Sequence, residues 1–269
     1  GTESEIISGI INLVSILPSN YEDEVLADCT DDLNRAATGF DSGLEDTKLA
    51  LTAISDDGFV VETKSAYAPE MLTAFIKLNG ATVGVVANRT KVYDDNMEVV
   101  AEYEPKLTAN GCDKAAQFVY FCDDFSIPVL TLTNATGFKA CKCQEKRGAK
   151  ATARLTYAFA SATVPKVNVI IGEAFGSAYV TMNSKSIGAD MVPTAKVGMM
   201  DANAAAKIMY AKEIEEDASV LAEKTAEYAQ LQGSVTKAAS RGYVDNIVEP
   251  VDVRKYVIGA FEMLYTKRQ

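Results

Sequence analysis

Hydrophobic and polar positions change their spacing several times along the 269-residue chain. Glu5 to Leu17 repeats apolar residues at helical spacing, and Pro18-Ser19-Asn20 ends that helix because proline cannot continue it. Tyr21 to Glu45 is acidic and polar with no sustained period, the pattern of a solvated connection. From Phe59 the chain alternates in the manner of strands. Ala68 to Leu78 and Ala81 to Ala87 meet at Asn79-Gly80, a dipeptide suited to the tight turn of a hairpin. Asp113 to Asp124 returns to helical spacing, with apolar residues placed to pack on the strand that follows at Pro128. Glu145 to Ala160 is a second helix, rich in alanine and basic residues, and it feeds a strand at Pro165. Asp201 to Ala229 is mostly helical, with Ala202, Ala205, Ile208 and Met209 on one face. Val251 to Leu264 is an amphipathic helix whose Val257, Ile258, Phe261 and Leu264 are expected to dock on the core or on a neighbouring subunit. Alternation of strand and helix implies an α/β core of stacked units, and periodicity alone does not say which arrangement they take.

Two of these units share one design, an apolar strand running into small residues that open a helix. In the first, Ile127 to Thr133 leads into Asn134-Ala135-Thr136-Gly137-Phe138; in the second, Pro165 to Ile171 leads through Gly172 and Glu173 into Ala174-Phe175-Gly176-Ser177-Ala178-Tyr179. The first NH groups of a helix lack intrahelical acceptors, and that end of the helix favours negative charge. Two such ends side by side could hold an oxyanion, and small residues would let a ligand oxygen reach the main chain. The alternative is that these residues only let helix and strand pack closely.

Composition narrows the chemistry. The chain has no histidine and no tryptophan, which excludes Ser/His/Asp and Cys/His catalysis and every histidine-ligated metal site. Polarising a carbonyl with preorganised NH donors needs no titrating side chain. The net charge of −11 speaks against a nucleic-acid surface and against anionic membranes. A hydrophobic content of 48% is ample for one large core. With no run of eighteen apolar residues and no secretory pattern at the start, a soluble cytoplasmic protein is expected. Five cysteines suit reduced thiols rather than a disulfide scaffold. Cys141 and Cys143 are the only close pair, with the spacing of a redox or metal half-site but too few for a closed zinc site, while Cys112 and Cys122 read as small apolar residues of a helix. Glu213, Glu215, Glu216 and Asp217 read as a solvated turn between helices.

In order and spacing, the chain resembles the C-terminal half of the carboxyltransferase subunits of biotin-dependent acyl-CoA carboxylases and the related sodium-pumping decarboxylases. The resemblance runs through Ala115 to Asp123, Ile127 to Leu132, Tyr157 to Ala160 and Ala162 to Val167. It continues through Ala174 to Tyr179 and Met182 to Lys185, and closes with Ala238 to Asp245 and Ile247 to Pro250. It implies a single α/β domain of the crotonase/ClpP-like type, a spiral of ββα units, over residues 46–269. Residues 1–45 would be an N-terminal helix and the linker between tandem domains. The chain would then be a separately expressed half of a longer polypeptide or a naturally split subunit.

By the same resemblance, the chain binds carboxybiotin, delivered on a biotin carboxyl carrier protein, in a pocket of Gly176, Ser177, Ala178, Tyr179 and Val180. Backbone NH groups of Ser177 and Ala178, with Gly137 and Phe138 opposite, stabilise the ureido oxyanion. The acyl-CoA is bound by a separate N-terminal carboxyltransferase domain, so the chain alone would be nearly inactive and a homo-oligomer is expected. Val180 stands where the family commonly has an acidic residue, Pro193 follows Val192 directly where the family has an Ala-Trp-Pro step, and Lys139 to Gln144 lack the family's Leu-Pro-Gly. A stand-alone crotonase-fold enzyme on a CoA thioester, and a noncatalytic assembly domain, are the two rival readings.

Overall fold

The computed structural model describes residues 2–21, 23, 29–94, 96–185, 190–191 and 196–265. Helix α1 (Glu3–Ile16) is followed by α2 (Thr47–Ile54). The strands β1 (Val60–Thr63), β2 (Met71–Leu78), β3 (Ala81–Asn88), β4 (Lys91–Tyr93), β5 (Val99–Glu102) and β6 (Lys106–Leu107) follow. Next come α3 (Ala109–Asp124), β7 (Val129–Ala135), β8 (Gly137–Phe138), α4 (Lys142–Ser161), β9 (Lys166–Phe175) and α5 (Gly176–Thr181). Short strands β10 (Asp190–Met191) and β11 (Lys196–Gly198) lead to α6 (Ala202–Met209), α7 (Ala211–Glu216), α8 (Val220–Gln232), α9 (Val235–Ser240) and α10 (Val253–Leu264).

The main sheet runs β1-β2-β3-β7-β9-β10, with β11 also on β9. Its first three strands are antiparallel, and from β3 onward the pairing is parallel. The β2–β3 turn forms as the sequence predicts, with Asn79 and Gly80 both at positive φ (52° and 76°), the backbone of a type I′ turn. β7 and β9 are covered on both faces, which is why they read as near-continuous apolar runs. Alternate residues feed two cores. Leu130, Leu132, Val167 and Val169 face a cluster with α2 and α10, whereas Val129 and Ala135 face a cluster with α3 and α4. α3 starts at Ala109, four residues ahead of the expected Asp113, because the Thr108 hydroxyl caps it by accepting from Gly111 N.

The reading of residues 21–45 as a solvated connection fails for 29–45. Ala37 and Phe40 are buried in the α2/α10 core, and Ala37 N donates to Val251 O (2.8 Å). Arg35 grips Asp31 through Nε and Nη2 and donates to the carbonyls of Ala53 and Ser55. The apolar face expected on α6 is also different: Ala205 and Ala206 are buried, whereas Ile208 and Met209 are exposed. The carboxylates of 213–217 are exposed, and Val257, Ile258 and Phe261 of α10 are buried, as expected. Among the described residues, no helix is long and apolar enough to cross a membrane. The turn at Gly188-Ala189 and Val192-Pro193, including the Pro193 step, lies outside the described residues.

One buried charge cluster ties these parts together. Arg254 on α10 is fully buried and donates to Ile54 O (2.5 Å) and Asp56 Oδ1 (2.7 Å), with Asp31 Oδ2 at 3.3 Å. Asp56 also accepts from Asn79 N and Gly80 N, so one carboxylate anchors the hairpin turn and the last helix. Replacing one partner of such a pair leaves the others buried without compensation. Arg254→Met is therefore expected to lower stability by about 3–5 kcal/mol, read as a lower urea midpoint.

The Arg35 hydrogen bonds, followed by the nearby Arg254 charge, hold Asp31 below the ordinary aspartate range. A carboxylate whose folded-state pKa is depressed contributes stability at pH values above its unfolded pKa, and loses it as pH falls through the folded one. Asp31→Asn should lower stability at neutral pH and flatten its decline in acid, measured by urea unfolding across a pH series.

Candidate active site at the ends of β7 and β9

The two glycine junctions are neighbours in space. β7 and β9 pair in parallel with Thr133 opposite Ile170 and Ala135 opposite Ala174, so both segments emerge at the same end of adjacent strands. Crevices at the carboxyl ends of parallel strands are the usual ligand positions of open α/β sheets.

The second junction is built as the sequence predicts. β9 ends at Phe175 and α5 begins at once with Gly176, whose φ of +56° favours glycine; a side chain there would also meet Met199 O at 2.9 Å. No side chain caps α5, and the opening NH groups of a helix have no intrahelical acceptor. Ser177 is exposed and Gly176 is half-buried. Ala178 is only 1% exposed, so its methyl group belongs to the core. Val180 is exposed, while Tyr179 packs against the Ile170, Val197 and Val244 cluster, where burial pushes its phenol up to about 12.

The first junction departs from expectation. No helix opens at Gly137: Gly137 and Phe138 form β8, a two-residue strand parallel to Lys106–Leu107, and α4 begins only at Lys142. Thr136 N donates to Pro105 O and Lys139 N to Leu107 O. A helix dipole is thus absent on this side, and the six-residue α5 supplies only a short one on the other. What the site offers is NH donors. α5 packs against β8, and each segment carries an exposed apolar side chain, Phe138 and Val180.

A polar framework that sequence reasoning missed sets this spacing. The register of β7 on β9 shifts between Thr133 and Ala135, and Asn134 fills the irregularity: its Oδ1 accepts from Glu173 N (3.1 Å) and its N donates to Asn88 Oδ1 (3.3 Å). Below it, Thr133 Oγ1 donates to Asn168 Oδ1 (2.8 Å), Asn168 Nδ2 to Met182 O (3.1 Å) and Asn183 Nδ2 to Thr131 Oγ1 (3.1 Å), all fully buried. These bonds hold the exit of α5 onto the sheet. The available signal was the set of threonines and asparagines interrupting otherwise apolar strands, since buried polar groups need partners.

This mixed α/β sheet is crotonase-like, the fold of its structural neighbours. It superposes on a transcarboxylase 12S structure, solved as a hexamer assembly with hydrolysed methylmalonyl-coenzyme A bound, with a TM-score of 0.87 at 33% identity, over 97% of this chain and 51% of that one. The chain belongs to the carboxyl transferase domain family, whose model matches residues 1–269. It is 35% identical to the methylmalonyl-CoA decarboxylase subunit alpha of Veillonella parvula over 279 residues, 99% of this chain and 52% of that protein. It is 37% identical to the methylmalonyl-CoA carboxyltransferase 12S subunit of Propionibacterium freudenreichii subsp. shermanii over 231 residues, 83% of this chain and 42% of that protein. The chain spans about half the length of the curated relatives it matches.

Asn134 and Gly172 are a matched pair, because a side chain at 172 would lie 2.5 Å from the Asn134 amide. Gly172→Ala should cost about 1–3 kcal/mol by forcing that amide aside. In the Asn134→Ala background, where the obstacle is gone, the same change should cost less, and a double-mutant cycle of urea midpoints measures the coupling.

Proposed function

We propose that this chain is the carboxybiotin-binding half of a biotin-dependent acyl-CoA carboxyltransferase. The observation that carries the reading is the register of β7 on β9, which sets the Gly137–Phe138 and Gly176–Ala178 backbones beside each other in a chain without imidazole. Family membership and the names of its relatives, which include propionyl-CoA carboxylase beta chains, support the reaction class.

The residues suit the ligand in kind. Backbone NH groups are matched to an oxyanion, a side chain at Gly137 would meet nothing within 4 Å, and Phe138 and Val180 offer apolar cover for a ring. Carboxybiotin, when bound, supplies the carboxyl group and a ureido oxygen that becomes negative as that group leaves. The NH groups of Ser177 and Ala178, faced by the Gly137–Phe138 strand, hold that charge in place. Asn134 keeps the two segments at fixed spacing, and the Ser177 hydroxyl has no proton to transfer in this scheme.

In this reading the carboxyltransferase domain includes the 29–45 arm as well as residues 46–269, and a companion domain binds the acyl-CoA. A biotinylated carrier protein brings the carboxyl group, and the crevice is completed in a homo-oligomer. The free thiols and net charge of −11 fit a reducing cytoplasm with no nucleic-acid partner.

The test reconstitutes the chain with an acyl-CoA-binding half and follows biotin-dependent decarboxylation of a malonyl-type thioester. Ser177→Ala should change the rate little, since only the hydroxyl is lost. Ala178→Pro removes a donor and should slow the reaction about a hundredfold or more, equivalent to ~3 kcal/mol of transition-state stabilisation. Circular dichroism confirms that each variant is folded. Collapse of activity in folded Ser177→Ala, or near-normal activity in folded Ala178→Pro, overturns the assignment. Tight CoA binding to the chain alone, without biotin binding, would point instead to a stand-alone CoA-thioester enzyme.

A further inference from the structure

The start of α4 carries two thiols that the carboxyl-transfer reading leaves unused. Cys141 is the N-cap residue, with an extended backbone (φ −161°, ψ 161°), and Cys143 is the second residue of the helix. An N-cap side chain folds back over the first turn, the geometry by which serine or aspartate reaches the NH groups there. Here that fold-back brings Cys141 Sγ to 2.8 Å from Cys143 Sγ. Cys141 is half-buried and Cys143 is exposed, so a small molecule can reach the pair.

The surroundings separate these two thiols from the other three. Cys112 and Cys122 are buried, and burial pushes both thiols up, Cys112 to about 12. Cys29 is half-buried and is also raised, chiefly by burial. The hydrogen bond with Cys143 instead lowers Cys141 and raises Cys143, with the Lys139 charge acting in the same direction on Cys141. Positive charge and a helix N-terminus are the settings in which a thiol becomes a nucleophile. The pair therefore divides into an attacking and a resolving sulfur.

We propose that Cys141 and Cys143 form a reversible dithiol–disulfide site that reacts with low-molecular-weight disulfides. The Cys141 thiolate attacks one sulfur of the small disulfide; a Cys141–sulfur bond forms, the small disulfide bond breaks, and one small thiolate leaves. Cys143 gives its proton to solvent and attacks the Cys141 sulfur, forming the Cys141–Cys143 bond and releasing the second small thiolate. Both leaving thiolates take up protons. Two protein thiols are oxidised, and one small disulfide is reduced to two small thiols.

The probe is oxidised glutathione, added to the reduced full chain at neutral pH. Colorimetric thiol counting should show two thiols lost together and three retained, and intact mass should fall by two hydrogens. Peptide mapping should locate the link at 141–143, and dithiothreitol should restore all thiols. Cys143→Ser should accumulate a glutathione adduct on Cys141, because nothing resolves it. Cys141→Ser should form its adduct on Cys143 more slowly than Cys143→Ser forms its own. Stable adducts on both cysteines of the unmutated chain with no link between them, or equal adduct rates in the two variants, would overturn the proposal. Both residues are at the surface, and circular dichroism checks that each serine variant keeps its fold.

Discussion

The parallel pairing of β7 with β9 is the constraint on which the candidate site depends. It places two segments far apart in sequence at one end of the sheet, and its single irregularity at Asn134 decides how far apart they stand. A parallel ladder has no tight turn to fix its register, so the register must come from side chains. Apolar alternation supplies the coarse choice, since a slip of one residue would turn Leu130, Leu132, Val167 and Val169 away from the α2/α10 core. The Asn134 amide, whose Oδ1 accepts from Glu173 N and which the bare face of Gly172 accommodates, supplies the fine one.

A site made of main chain places unusual demands on what lies beneath it. A side-chain acid or base can adjust by rotamer, but an NH group moves only when its strand or helix moves. The buried network of Thr131, Thr133, Asn168 and Asn183 ties the exit of α5 to both strands with directional bonds where apolar contacts alone would permit sliding. Preorganised donors are effective because they need no reorganisation as charge develops. The polar framework therefore lies buried beneath the strand ends rather than at the surface.

What could be read from the sequence was what local chemistry decides. Asn79-Gly80 needs positive φ at both positions, and one turn type follows. The helices over 109–124, 142–161 and 253–264 carry periodic apolar faces, and the run from Ala174 to Tyr179 marks its own strand-to-helix turn. Gly137 and Phe138 could not be read in the same way. A two-residue strand exists only because Lys106 and Leu107 lie beside it, and nothing local distinguishes it from a helix start. Arg254 and Asp56 are 198 residues apart, and on α10 the arginine looks like an ordinary solvated charge until the fold closes over it. Thr131 and Asn168 were visible as breaks in apolar runs, but their partners come from a different element.

The packing of residues 29–45 bears on where this unit can be divided or recombined. A modular boundary lies where few interactions cross, whatever the local polarity. Between 45 and 46 many cross: Phe40 and Ala37 lie in the sheet core, Arg35 closes the end of α2, and Asp31 reaches the buried guanidinium of α10. A chimera joined at 46 would lose Ala37 and Phe40 from the α2/α10 core and leave a buried cation short of a counter-ion. The arm from Asp31 therefore travels with the sheet, and any shuffling of companion domains that preserves this fold must carry it along.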